Sequence, residues 1–199
     1  MMPLPRSNAP AFLDQHWEEW GRQWQIKLAN NSKASFTYPR VNNQGLEQIR
    51  EALFTMSKSH CAFCDEFPIG SQSPETIEHF KPKKLFPLIA YQWENLYPCC
   101  MRCQEKGDNF NELLLRPDAD DYSFQRYFVI NAATMELEPN AGATMEDQER
   151  AKTTIKLYKL NRVRLRTSRR LVYEYMSLLL SNNISPDTLP FRYFIEFLL

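Results

Sequence analysis

Glycine is scarce in this chain, with five in 199 residues against 13 prolines. No glycine-rich loop of the kind that cradles phosphates exists, so the chain is not expected to be an ATPase itself. Net charge is also missing. Lysine plus arginine number 24, as do aspartate plus glutamate, so only the distribution of charge can mark a nucleic-acid surface. No apolar run approaches the length that spans a bilayer. Met1 to Pro10 has no basic cluster followed by an apolar stretch, so no signal peptide is read. A soluble cytoplasmic protein without membrane contact is the expectation. Five cysteines, an odd number without a secretion signal, argue against a disulfide framework. What is present is apolar substance: 43% hydrophobic and 13% aromatic residues, enough for a folded core.

The periodicities are mostly helical. Leu13, Trp17, Trp20, Trp24 and Leu28 share one face of an amphipathic helix and read as core packing. The stretch from Asn30 to Gly45 is polar, contains Pro39 and reads as a loop. Leu46 to Ser59 predicts a second helix, carrying Leu46, Ile49, Leu53 and Met56. Further on, Asp118 to Asp121 is turn material, Tyr127 to Ile130 a short strand and Asn140 to Gly142 a turn. Met145 to Leu160 and Asn161 to Leu180 predict two helices with Asn161 as an N-cap between them. Leu165, Val172, Met176 and Leu179 would line the buried face of the second. Pro186 to Leu199 is a short apolar end segment.

Cysteine carries the strongest signal. Cys61 and Cys64 form one C-x-x-C pair, Cys100 and Cys103 another. A two-residue spacer lets both thiolates of a knuckle turn onto one ion, and two knuckles complete a tetrahedral four-thiolate zinc site. Such a site is closed, so its zinc would staple the chain rather than catalyse. Cys99 is an alternative to Cys100, though the spacing favours Cys100. Between the pairs, Thr76 to His79 has strand character. Adjacent strand residues point to opposite faces, so Glu78 and His79 could serve one metal and one water only if the chain bends there. Pro82 makes such a bend reasonable.

In this order the segments resemble a known family. Ile77-Glu78-His79-Phe80-Lys81-Pro82-Lys83, then Tyr91-Gln92-Trp93-Glu94-Asn95-Leu96-Tyr97, then Cys99-Cys100-x-x-Cys103 and Lys106-Gly107-Asp108-x-Phe110 resemble the HNH endonuclease superfamily. More narrowly they resemble the HNH subunit family, PtuB, of Septu-type and retron-associated bacterial anti-phage systems. Thr153 to Leu165 is similar to that family's helical tail, and the resemblance covers roughly residues 59–166. It implies a ββα-metal fold with His79 as the general base that activates water. Glu78 would hold a catalytic Mg²⁺ or Mn²⁺, to which hard oxygen ligands suit. Asn95 would orient the histidine by hydrogen bonding. The family's third position, His or Asn with a lysine three residues on, is Gln104 here, with Lys106 only two later. Gln104 would then be the second metal ligand, with Asp108 and Asn109 as substitutes. The resemblance also implies an antiviral role, nucleic acid as substrate and an ATPase partner, PtuA.

From Ala151 to Tyr173 there is no Asp or Glu. Arg162, Arg166, Arg169 and Arg170 fall near one helical face there, which together with Lys106 would meet phosphates. Alternatively the helix pairs with acidic stretches elsewhere. The expectation is an α+β chain in three parts: an N-terminal helical region (1–58), an HNH nuclease module (59–116) and a mainly helical C-terminal region with the basic helix (117–199). Two other functions stay open: a non-catalytic zinc module that binds nucleic acid or protein, and an RNA-cleaving toxin.

Overall fold

The structure, a computed structural model, describes residues 1–38, 45–71, 74–182 and 184–194, with backbone alone at 176, 177, 179 and 180. Helix α1 (Ala11–Asn30) carries the tryptophan stripe, with Leu13 and Trp24 buried and Trp17 and Trp20 half-buried. Helix α2 (Gly45–Ser57) buries Ile49 and Leu53. It stops two residues short of the expected Ser59, because Lys58 and Ser59 turn to φ 53° and 60°. The Ser59 amide then donates back to Phe54 O at 2.8 Å, which closes the helix end. Of the expected loop from Asn30 to Gly45, residues 39–44, Pro39 among them, lie outside the described residues.

Strand β1 (Glu75–His79) pairs antiparallel with β2 (Leu96–Cys100) in a register that sets Glu78 opposite Tyr97 and His79 opposite Leu96. A one-turn helix, α3 (Met101–Gln104), follows directly. Strand, strand and helix therefore run in sequence across the two cysteine pairs. A helical turn, α4 (Phe124–Tyr127), is capped by the Ser123 side chain and takes up Tyr127, so the expected strand starts one residue late. That strand, β3 (Phe128–Ile130), pairs with β4 (Leu137–Pro139), which the sequence did not announce.

Helices α5 (Met145–Leu157) and α6 (Val163–Ser181) are both shorter than expected. Asn161 is not an N-cap between them. Its side chain donates to Leu137 O and accepts from Leu137 N, both at 2.8 Å, and so pins β4. Leu165 is buried and Val172 packs on the core; the side chains of Met176 and Leu179 lie outside the described residues. The C-terminal apolar segment forms two 3-10 turns, Pro186–Thr188 and Arg192–Phe194, while 195–199 lie outside the described residues.

The fold is thus mixed α+β, with two small antiparallel sheets among helices. Two apolar clusters flank β1. One lies between α1, α2 and the strands and contains Ile77, Tyr91 and Trp93. The other surrounds the cysteines and gathers Met1, Phe80, Tyr97, Leu115, Tyr158 and Tyr193. No helix among the described residues is long and apolar enough to cross a membrane.

Candidate functional site

Cys61, Cys64, Cys100 and Cys103 are all buried, and their sulfurs lie within 4.8 Å of one another. The first pair sits in the turn after α2, the second at the junction of β2 and α3. Cys64 Sγ is 3.7 Å from Cys100 Sγ. Four thiolates about 2.3 Å from a central zinc form a tetrahedron whose edges are about 3.8 Å. The cluster fits such an ion. The Cys100 amide points at Cys61 Sγ (3.5 Å), as does Arg162 Nη2 at Cys103 Sγ (3.5 Å). Both would offset the charge of four thiolates. Burial opposes charge on Cys61, yet hydrogen bonds from Cys100, Cys103 and Cys64 pull its thiol well below the ordinary range. Cys99 is buried outside the cluster, its thiol turned to Cys100 O at 3.2 Å, so Cys100 is the fourth member.

Beside the cluster, β1 presents its two polar neighbours to different surroundings, as strand alternation requires. Glu78 is buried, with Lys106 Nζ 2.8 Å from its Oε1 and both side chains almost wholly out of solvent. Burial pushes the Glu78 carboxyl up to about 7, against the pull of the Lys106 charge. The Lys106 ammonium also donates to the carbonyls of Asn109 (3.2 Å), Phe80 (3.3 Å) and Gly107 (3.3 Å).

His79 faces aromatic rings. Its ring meets that of Phe36 edge-on at 5.0 Å and lies nearly parallel to Tyr38 at 6.2 Å. The ring donates to the backbone of Ala90, while Nε2 is buried with no partner. Burial, seconded by the Lys83 charge, holds the imidazole well below its ordinary pKa. A neutral ring that donates through one nitrogen leaves a lone pair on the other, the form a general base needs.

Asn95 is buried, and its side chain makes no hydrogen bond to His79. Its Oδ1 accepts from Lys81 N (2.7 Å), and its Nδ2 donates to Lys81 O (3.0 Å) and Ile89 O (3.1 Å). It therefore fixes the chain just after His79 and just before Ala90, and acts on the imidazole through the backbone. Gln104 donates to Ile77 O at 3.1 Å and ties α3 to β1. Asp108 faces Lys84 at 3.5 Å, both exposed, and Asn109 donates to Lys106 O at 2.7 Å.

A divalent cation expected at Glu78 and Gln104 does not fit the carboxylate as it stands. The Glu78 oxygen faces an ammonium; Gln104 donates through Nε2 to Ile77 O, which leaves its Oε1 as the atom it could offer a metal. Among the described residues, only the four cysteines group three or more His, Cys, Asp or Glu ligands.

Of the four arginines expected on one phosphate-facing side, Arg169 is buried, while Arg162, Arg166 and Arg170 are half-buried and engaged with neighbouring groups. Arg169 is fully buried and donates to Tyr193 Oη (2.9 Å), Met135 O (3.0 Å) and Leu160 O (2.7 Å). Arg166 pairs with Glu136 at 2.9 Å, and Arg170 donates to Ala132 and Ala133 carbonyls. These three clamp the segment between β3 and β4. Arg162 lies against Cys103 and Tyr158. Lys106, expected at the surface, is buried. For Lys106 and Arg169 nothing in the sequence signalled burial, because an arginine or lysine inside a protein reads in sequence like one outside.

Three residues that sequence reasoning passed over shape the site. Phe36 and Tyr38 cover His79, and nothing in a polar loop announces that role. Gly21 lets α1 approach the Pro87–Ile89 turn, since a Cβ there would lie 2.0 Å from Leu88 O. That turn carries Ala90 to His79. A single glycine in a helix, in a chain with few, was the available signal.

No family model matches the sequence. The chain is 32% identical over 97 residues to "Septu protein PtuB" of Bacillus thuringiensis. The match takes in 45% of this chain and 38% of that protein, so the chain spans well under half of the relative it resembles.

Proposed function

We propose that this chain is an HNH-type hydrolase of nucleic-acid phosphodiester bonds, the effector nuclease of a Septu-type bacterial anti-phage system that works with an ATPase partner, PtuA. The observation that carries the reading is His79: neutral, buried, with Nε2 unpartnered, on a strand tied beside a four-cysteine cluster. The partial likeness to a Septu protein supports the biological setting. In this reading His79 Nε2 takes a proton from water as the water oxygen attacks phosphorus; the bond from phosphorus to the leaving sugar oxygen breaks, and that oxygen takes a proton from solvent. Ala90 and, through the backbone, Asn95 hold the imidazole. Lys83 makes no ion pair among the described residues, and its charge acts on both His79 and Glu78. It is the cation placed to meet a phosphate. Zinc at the cysteines would fix the strand–strand–helix unit and supply no chemistry. For a substrate to reach Nε2, the rings of Phe36 and Tyr38 must move aside.

That cover favours one second reading, a zinc-organised module that binds nucleic acid or a protein without cutting. The distinction between DNA and RNA stays with experiment, because a site that acts on the phosphate does not read the sugar. The test is incubation of the chain and its ATPase partner with DNA and with total RNA, with and without Mg²⁺ or Mn²⁺. Cleavage that disappears in His79→Ala supports the nuclease; nucleic-acid binding without cleavage in the wild type supports the module.

A further inference from the structure

The carboxylate where a divalent ion would be sought already holds a cation of the chain's own. Lys106 Nζ lies 2.8 Å from Glu78 Oε1 as an ion pair, while its three N–H groups are directed at backbone carbonyls and Oε1 itself receives no hydrogen bond. Its contacts to the carbonyls of Phe80, Gly107 and Asn109 are longer, 3.2 to 3.3 Å, so Glu78 is its closest partner. The Lys106 side chain has no solvent exposure. It cannot swing out without opening the turn that follows α3. That turn is closed by the Asn109 side chain on Lys106 O (2.7 Å) and by the Gly107 amide on Gln104 O (2.9 Å). Gly107 sits there at φ 59°, in the left-handed region that glycine enters freely.

A magnesium or manganese ion needs oxygen ligands at about 2.0 to 2.1 Å in near-octahedral array. It cannot take the same carboxylate oxygen while an ammonium stands within hydrogen-bond distance, since two cations in a site shielded from water repel strongly. We infer that Lys106 fills the cation place at Glu78, so that a divalent ion gains this carboxylate only by displacing the ammonium and opening the Glu105–Asn109 turn. The ion pair is thus a lock on the site. It bears on the hydrolytic reading above, which would take a metal at this carboxylate, but its test reads metal binding alone.

The experiment is a titration of the 199-residue, zinc-loaded chain with Mn²⁺, followed by the electron paramagnetic resonance of free manganese. Manganese does not displace zinc from four thiolates, because it stands far lower in the affinity order. Lys106→Met should bind one Mn²⁺ about tenfold or more tightly than the wild type, the scale on which a neighbouring charge acts. Adding Glu78→Gln to that variant should remove the site. Zinc content and a thermal melt report whether Lys106→Met folds. Where it does not, Lys106→Gln removes the charge and keeps N–H donors for the turn carbonyls, and the same gain is expected. A wild type that binds Mn²⁺ as tightly as the lysine variants overturns the inference. So does a manganese site that these variants lose or never acquire. Neither result touches the hydrolase reading, which stands or falls on His79 and cleavage.

Discussion

At residue scale the site turns on two neighbours with opposite surroundings. Glu78 is drawn toward its protonated form by burial and has an ammonium beside it, while His79 is kept neutral among rings. The histidine's lowered pKa has a thermodynamic consequence. The unfolded chain binds a proton at the ordinary imidazole pKa near 6.5, the folded chain only well below it. The stability contributed by neutral His79 is therefore fully present above about pH 6.5 and is lost as pH falls through the lower folded value. His79→Gln cannot titrate. Denaturant melts of the two proteins should diverge below about pH 6.5, with the wild type losing ground as acid is added. An NMR titration that puts the His79 midpoint at or above 6.5 would contradict this assignment.

At the scale of elements, two features join distant parts of the chain. The cysteine cluster ties the turn after α2 to the junction of β2 and α3. Cys61→Ser or Cys103→Ser should lose zinc by elemental analysis and lower the melting temperature sharply, since the binding energy of such a site is folding energy. Unchanged metal content and melting would remove zinc from the account. The second feature is α6, where inward arginines hold the β3–β4 segment. Arg169→Met strands buried carbonyls of Met135 and Leu160 and should cost about 3 kcal/mol in urea unfolding. Arg164 and Lys156 instead are exposed, and their side chains make no hydrogen bond or ion pair among the described residues. Charge reversal at these two should leave stability alone. If these two side chains meet phosphates, their reversal should also lower the salt slope of nucleic-acid binding, by about 0.9 for each lost contact. An unchanged slope would assign them to something else.

The contrast shows what the sequence could and could not disclose. C-x-x-C spacing, the tryptophan stripe and strand character at 76–79 are local patterns with fixed geometric meaning, and each reappears in the structure. Burial of Lys106 and Arg169, the cover of Phe36 and Tyr38, and the pinning of β4 by Asn161 depend on partners 24 or more positions away. No window along the chain contains both members of such a pair.

At the scale of the whole molecule, segments far apart in sequence, Met1 to Arg6 and Phe191 to Phe194, converge on the cysteine cluster. Met1 and Leu4 share a core with Cys61, Tyr158 and Tyr193, and Arg192 pairs with Asp65 at 2.7 Å, next to Cys64. Arg6 reaches Asp118 at 2.9 Å and the carbonyls of Trp93 and Leu96. Arg6 thus braces the start of β2, the partner of the strand that bears His79, and Arg192 braces the first cysteine turn, which suits a site that must hold one imidazole in place. The most direct measurement is cleavage of DNA and total RNA by the full chain with its ATPase partner, wild type against His79→Ala at equal zinc content. Loss of a general base should slow cleavage by about 10² to 10⁴, with zinc and melting temperature preserved. Equal cleavage by the two proteins would contradict His79 as the base and the nuclease site built around it.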